Sequence, residues 1–560
     1  MTYMSFWRCV PVAGLSLLLL APGHAEVHAA SGRSAPISLE DSVLRALDQN
    51  LSRIARSLEH EVAAWNVRRE RAAFEPALVA SARREENNRE NTVEQFRSQL
   101  TSFFEEQNRR YDVGVEGQLQ TGARYRFGYS LNDLSNNLTN NVVVDPFQNQ
   151  YQSFLGATVT QPLLRGGGLA VSQAAVNLAR AQERIELHSL RREMMSVAAQ
   201  TEAAYRELAM AEALLEIRGN SVAIAERILE DNRERQRQGR MAETEVLQAE
   251  ASLADRQTRR NEAEQQRIQA MSRLRLMLSD DIDPNEPELV TTDGKDLLPF
   301  SHDLHEAMQQ ALALQPDYLG QLQEIEQSNV RLVYAENQRW PQIDLVGSYG
   351  YNGLGDSASD SWSEVTGQDY KAWSVGLQLS VGLGGDRRQR SELQMARLKQ
   401  RQALTRLKEV ELSIYRSLQA GIQECRSLRE NIESIGRIVS VRERLLENEL
   451  ERLNAGRSDS RSLFSIEEDL LQARESQVRA INEYQKAVLR LELASGLSLT
   501  KMGLDVVDSQ PTVATRRPAQ PVAGRRWTAK YNRWCCYPQA RATRGARLRM
   551  ATAGAARPQR

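Results

Sequence analysis

The sequence predicts a mixed α+β fold, internally duplicated, in which long coiled-coil helical hairpins alternate with short β-strands. Three observations carry this. Residues 169–278 and 386–494 are charged runs without proline, each broken once by a Gly-Arg pair, Gly239-Arg240 and Gly456-Arg457. Before the first break Thr201, Leu208, Leu215, Val222 and Leu229 recur every seven residues; before the second, Leu418, Cys425, Ile432, Val439 and Leu446 do so. Sustained seven-residue spacing calls for helices that supercoil against partners. After each hairpin-free proline, at Pro76 and Pro341, apolar and polar residues alternate with a period of two, the signature of a strand with one apolar face.

The two rows superimpose at one offset, which also places Val246 on Leu463, Leu253 on Leu470 and Leu274 on Leu491. Two ungapped copies mean an internal duplication. The arms before the breaks run about seventy residues, or roughly 100 Å of helix at 1.5 Å per residue.

In chain order, residues 1–25 read as a signal peptide: Arg8 precedes a short apolar core, and Gly23-His24-Ala25 suits cleavage. That core is too short to span a membrane, so an exported chain without a helical anchor is expected. The first repeat covers residues 37–279. It opens on a helix striped by Leu39, Val43, Leu47 and Leu51, capped by Ser38, that runs to about Phe74. Residues 83–110 are acidic, basic and Asn-rich and read as an exposed loop. Tyr111, Val113 and Val115, then Tyr125, Phe127, Tyr129 and Leu131, form a hairpin turning at Thr121-Gly122. A strand ending at Pro162 leads through Gly166-Gly167-Gly168 into the first helical hairpin. Residues 280–301 form a linker rich in proline, glycine and acids.

The second repeat covers residues 302–500. Leu304 falls on Leu39, Ala311-Leu312 on Ala46-Leu47 and Pro341 on Pro76, so one helix is expected from Leu304 to Pro341. Ile343, Leu345, Tyr349 and Tyr351 alternate with polar or small residues, a loop follows at 352–369, and Trp373, Val375, Leu377, Leu379, Val381 and Leu383 alternate over eleven positions. This last run has the length and pattern of a transmembrane β-strand. Residues 509–560 carry many arginines, no acids and little periodicity, and read as a disordered basic tail.

Composition bounds function. Acids and bases balance to a net charge of −1, which excludes a dedicated nucleic-acid binder. Cys9, Cys425, Cys535 and Cys536 have neither metal nor disulfide spacing. Gly166-Gly167-Gly168 lacks the Lys-Ser/Thr ending of a phosphate loop and reads as a tight strand-to-helix turn. His302 and His305 have no third ligand nearby. No catalytic constellation and no cofactor motif appear, so a non-enzyme is expected.

Ser38-Leu39-Glu40-Asp41 with Ala46-Leu47 and Asn50, the junction Thr160-Gln161-Pro162-Leu163-Leu164-Arg165-Gly166-Gly167, and Gly239 followed by Thr244-Glu245-Val246-Leu247-Gln248-Ala249 together resemble the TolC-like outer membrane efflux proteins, or outer membrane factors. The resemblance covers about residues 37–500. It implies outer-membrane β-barrel strands plus coiled-coil hairpins forming a periplasmic tunnel, assembled as a homotrimer. It implies a passive channel of a tripartite efflux or type I secretion system, working with a periplasmic adaptor and an inner-membrane transporter. The cargo is open among drugs, ions and proteins. Gly239, Arg240, Gly456 and Arg457 would then be partner-contacting turns at the periplasmic tip. Aligned on Gly456, the positions of the acidic ring found in some relatives hold Ser462 and Ser465. Asp459, Glu467, Glu468 and Asp469 are nearby acids that would replace the ring as a pore constriction or sit as exposed surface acids. The hairpin at 111–131 is extra to two strands per repeat, so the family's twelve-strand barrel is not carried over. Two other readings compete: a periplasmic adaptor, and an exported coiled-coil scaffold without a pore.

Overall fold

A computed structural model describes residues 34–99, 102–137, 150–278, 287–293, 297–300, 303–381, 387–455, 457, 460–501 and 503. The expected signal peptide and basic tail lie outside them. The first repeat runs β1 (Ser34–Ile37), α1 (Leu39–Gln49), α2 (Leu51–Ala72), β2 (Ala77–Glu90), α3 (Val93–Gln99), β3 (Phe103–Gln118), β4 (Arg124–Asn136) and β5 (Gln150–Pro162). It continues through α4 (Leu169–Ser172) into α5 (Ala174–Arg237) and α6 (Glu243–Leu278). After β6 (Glu288–Thr291) the second repeat has α7 (Leu304–Leu314), α8 (Pro316–Asn337), β7 (Gln342–Gly355), α9 (Ala358–Gly367) and β8 (Tyr370–Ser380). It closes with α10 (Arg387–Asn454), α11 (Ser460–Ser495) and α12 (Ser498–Lys501).

The duplicated hairpins are α5/α6 and α10/α11. α5 has 64 residues and α10 has 68, so each extends about 100 Å at 1.5 Å per residue. The seven-residue rows are their buried seams: Thr201, Leu208, Val222 and Leu229 in one, Leu418, Cys425, Ile432 and Val439 in the other. Burial in the second seam pushes the Cys425 thiol up to about 11, so it serves as a small hydrophobe rather than a reactive group. No described helix is long and apolar enough to cross a membrane.

Each opening helix is two helices, not one. Ser38 caps α1 by accepting from the Asp41 amide at 3.1 Å. Asn50 then leaves helical geometry at ψ 124° and caps α2, accepting from the Ser52 amide at 3.0 Å. In the second repeat Gln315 takes the same conformation before Pro316, which starts α8 at the position where a missing N–H costs nothing. Each break places a second helix on the end of a hairpin arm. The Asn50 amide donates to the Met277 carbonyl at the end of α6, 3.2 Å away. A Cβ on Gly496, after α11, would come within 3.0 Å of the Leu314 and Gln315 backbone.

The helices therefore lie in one row. Beside the sheet its order is α2, α5, α8, α10; toward the Gly-Arg turns it is α6, α5, α11, α10. At the junction of the two levels β1 pairs in parallel with β6, so part of the expected linker is a strand. The buried Tyr205 of α5 ties it down, donating to the Ile37 carbonyl at 3.0 Å and receiving the Thr292 amide at 3.1 Å. Burial and the Asp293 carboxylate push the Tyr205 phenol up to about 12.

The other strands form one antiparallel sheet in the order β2-β3-β4-β5-β7-β8. β2 and the upper half of β3 occupy the stretch expected as an exposed loop. Their ladder runs from Ala77 opposite Glu116 to Glu90 opposite Phe103, and cross-strand pairing overrides the weak strand tendency of the charged residues. The loop expected at 352–369 likewise contains the end of β7 and α9.

The register puts all apolar alternation on one face. Leu78, Val115, Phe127, Ala157, Tyr349 and Trp373 form one cross-strand row; Ala80, Val113, Tyr129, Leu155 and Tyr351 form the next. The opposite face is mostly polar or small, with Val79, Phe154 and Val346 among its apolar residues. Asp112 and Arg126 lie 3.7 Å apart there, and the Ser348 and Ser374 hydroxyls share a 2.7 Å hydrogen bond. It also carries an unbroken row of four glycines, Gly114, Gly128, Gly156 and Gly350. A Cβ on Gly128 would sit 2.9 Å from the Gly114 Cα, and one on Gly350 2.5 Å from the Leu155 carbonyl oxygen. The strands crowd together on this face, and Phe154 lies over Gly156 and Gly350, covering glycines as aromatic neighbours do in curved sheets.

Candidate functional site

The two hairpin turns share one kind of backbone bond. At the first, Gly239 adopts φ 70°, and the Arg240 amide reaches back to the Arg235 carbonyl at 2.9 Å. This is the six-to-one bond that ends a helix through a left-handed residue, where glycine carries no Cβ penalty. At the second turn the Arg457 amide reaches the Arg452 carbonyl at 2.8 Å. Arg240 and Arg457 are exposed. Gly456 and Asp459 lie outside the described residues.

Of the candidate constriction residues on α11, Ser462 and Ser465 are exposed and Glu468 is half-buried. Glu467 is not a surface acid. It is 5 % exposed, and its carboxylate accepts from the Arg256 guanidinium of α6 at 2.8 Å. Arg256 is equally buried. It also donates to the Ser221 hydroxyl of α5 and stands 5.4 Å over the Phe464 ring. One turn further along, Arg259 holds Glu468 at 2.5 Å, and that hydrogen bond raises the Arg259 pKa. Further up the seam, Arg218 of α5 pairs with Glu475 of α11.

These three ion pairs join the first hairpin to the second within one chain. Desolvation raises the Glu467 pKa, and the Arg256 hydrogen bond opposes that rise without cancelling it. Removing either partner of a buried pair of this kind leaves an uncompensated charge, so the contact depends on both members being present. Sequence reading placed Glu467 and Glu468 near the turn but missed their arginine partners. A signal was present. Ala249, Arg256, Ala263 and Ala270 follow one another every seven residues and are all buried, so an arginine occupies a column otherwise kept for alanine.

Sequence and structure comparisons bear on this arrangement. Residues 307–497 match the family model for outer membrane efflux proteins. This segment, most of the second repeat, is similar to that family. A search among curated proteins gave no match. Among solved structures the chain is similar to the Campylobacter jejuni CmeC outer membrane channel, with a TM-score of 0.58 at 15% identity over 84% of this chain and 90% of that one. It is similar to the Vibrio cholerae outer membrane protein VceC, with a TM-score of 0.56 at 14% identity over 82% of this chain and 96% of that one. The open Neisseria gonorrhoeae MtrE outer membrane channel gives 0.55 at 15% identity, over 82% and 88%. At these identities the likeness is one of fold, and it covers the first repeat as well as the matched segment.

The triple glycine at 166–168 is a turn. Gly166 and Gly168 adopt φ 79° and 93°, and a Cβ on Gly167 would collide with the Pro162 carbonyl. His302 lies outside the described residues, while His305 bonds Gln309 at 3.0 Å. No metal-ligating cluster occurs among the described residues.

Proposed function

We propose that this protein is the outer-membrane channel of a tripartite efflux or type I secretion system, a passive conduit without catalysis of its own. The observation that carries the reading is the sheet. Its apolar face runs without interruption across all six strands, and both its edges, β2 and β8, are uncovered. A sheet with open edges cannot stand in lipid, where every backbone polar group has to be paired, so it closes with other copies into a barrel. Along β7 the apolar face spans Ile343 to Gly353, about 25 Å once strand tilt is allowed for, which matches the apolar band of outer-membrane barrels.

Three copies, as in the family resemblance, would close the sheet in the outer membrane and the helical rows into a periplasmic tunnel. Exposed Leu51, Leu58, Val62 and Trp65 on α2 supply an apolar stripe suited to a neighbouring copy. The Gly-Arg turns would face a periplasmic adaptor and an inner-membrane transporter. Ser462 and Ser465 have the exposure that a lumen-lining position requires. Glu467 is committed to Arg256.

Conductance tests the reading. The full-length protein, extracted in detergent and added to planar bilayers, is expected to give discrete conductance steps. A protein that folds but neither inserts nor conducts would favour the scaffold reading.

A further inference from the structure

The row of helices and the sheet have the same order. α2 leads into β2, β5 leads into α5, α8 leads into β7 and β8 leads into α10, so helices α2-α5-α8-α10 stand under strands β2, β5, β7 and β8. The hairpin β3–β4 alone has no helix beneath it. It is nonetheless part of the wall. β4 is paired along its length with both β3 and β5. The turn below it is seated on the start of the helical hairpin: the Gly168 amide donates to the Thr121 carbonyl at 3.3 Å, and Gln173 donates to Gln120 at 2.9 Å. Gly122, at φ 91°, sits so close that a Cβ would come within 2.7 Å of the Gly166 carbonyl oxygen.

Width gives the hairpin a purpose. Four helices side by side at 8–10 Å occupy about 32–40 Å. Four strands with 4.8 Å spacing and a tilt of about 35° occupy only about 23 Å of circumference, whereas six occupy about 35 Å. With β3–β4 in place, each copy's share of the barrel is as wide as its share of the helical row.

The two free edges fit each other. β2 runs away from the helices and β8 runs back toward them, because an even number of antiparallel strands separates the two ends of the sheet. Placed side by side they are antiparallel. A closed barrel also demands a fixed stagger between copies, and six residues per copy corresponds to a tilt of about 35°. At that stagger Leu78, Ala80 and Ala82 of β2 meet Leu379, Leu377 and Val375 of β8. Arg84 meets Trp373, and Glu86 meets Lys371. Apolar faces apolar, cation faces aromatic ring, and acid faces base, which are favourable cross-strand pairs. It also gives the charged upper part of β2 a partner.

We infer that the β2 edge of one copy pairs with the β8 edge of a second copy, Ala80 opposite Leu377, so that three copies close an eighteen-stranded barrel. Resting on the channel reading above, this gives a barrel about 34 Å across between backbones, against about 22 Å for twelve strands. The glycine row would then lie on the inner, concave face, where neighbouring strands crowd. The bore would not narrow between helices and barrel, which suits bulky cargo.

The test is disulfide trapping in the full-length, detergent-extracted protein with Cys535→Ser and Cys536→Ser as background. Ala80→Cys is combined in turn with Val375→Cys, Leu377→Cys and Leu379→Cys. Cross-linked trimers are expected to peak at Leu377→Cys. Glu86→Lys alone should reduce the trimer recovered in detergent several-fold, and Glu86→Lys with Lys371→Glu should restore it. A trimer that gives no cross-link at any of the three positions, or whose reconstruction shows twelve strands with β3–β4 outside the wall, overturns the eighteen-strand closure and leaves the channel reading standing. Absence of any trimer would overturn both.

Discussion

At the scale of single residues, the contact between the hairpins rests on Arg256 and Glu467. Arg256→Met should destabilise the chain by about 3–5 kcal/mol, since it strands a buried carboxylate. Arg256→Met with Glu467→Met should recover most of that, because a buried pair can be exchanged for apolar side chains at little cost. Thermal unfolding of the two variants checks both statements. The pH dependence has a definite sign. The folded pKa of Glu467 is raised, so its contribution is fully present below the unfolded carboxylate value and is lost as pH rises through the folded one. Without Arg256 the rise is larger, so Arg256→Met should lose more melting temperature at about pH 8 than at about pH 5. Glu467→Gln should remove that difference. The glycine row makes a separate prediction. Gly350→Val places side-chain atoms against the Leu155 carbonyl and Phe154, and backbone cannot yield there as a flexible side chain can. Assembled barrel should fall sharply on a gel run without heating, whereas Gly347→Val on the interior strand β7, where the nearest atom to a Cβ is the Ser374 carbonyl oxygen at 3.9 Å, should leave it unchanged.

At the scale of elements, the seams were legible because each residue of a seven-residue row faces the same partner arm throughout. Ile432→Asp tests the assignment. Ile432 is buried in the α10 seam, and an unpaired charge there should cost roughly 3–5 kcal/mol; an unchanged melting temperature would mean the seam lies elsewhere. The breaks at Asn50 and Gln315 were not legible, because helical patterning continues on both sides and only capping geometry marks the join. β2 was hidden for a different reason. A strand lying at a sheet edge, charged over its upper half, has no alternation of its own, and its state is set by the ladder to β3. The extra hairpin at 111–131 was readable because both of its strands alternate cleanly. The Arg256–Glu467 contact was half legible: the arginine stands out in an alanine column, but its partner belongs to the other repeat, and spacing within one repeat cannot supply that pairing.

At the scale of the whole molecule, duplication explains why one chain is incomplete. Each repeat contributes a long arm with a second helix stacked on its return arm, and the four columns form a row with two free sides. The sheet above has two free edges. Both deficits are of one kind, and on the proposed channel reading copies of the same chain would satisfy them together: helices against helices through stripes such as Leu51, Leu58 and Trp65, strands against strands through β2 and β8. Ion pairs between α6 and α11 hold the hairpins of one chain together toward the turns, and nearer the sheet Arg192 of α5 pairs with Asp317 of α8 at 2.8 Å. Single-particle reconstruction of the detergent-extracted, full-length protein tests the channel reading most directly. The account predicts a three-fold particle in which one continuous lumen runs through a closed β-barrel and down between the helical rows to the Gly-Arg turns. A monomeric particle, or an oligomer whose sheets do not close around a lumen, would contradict it.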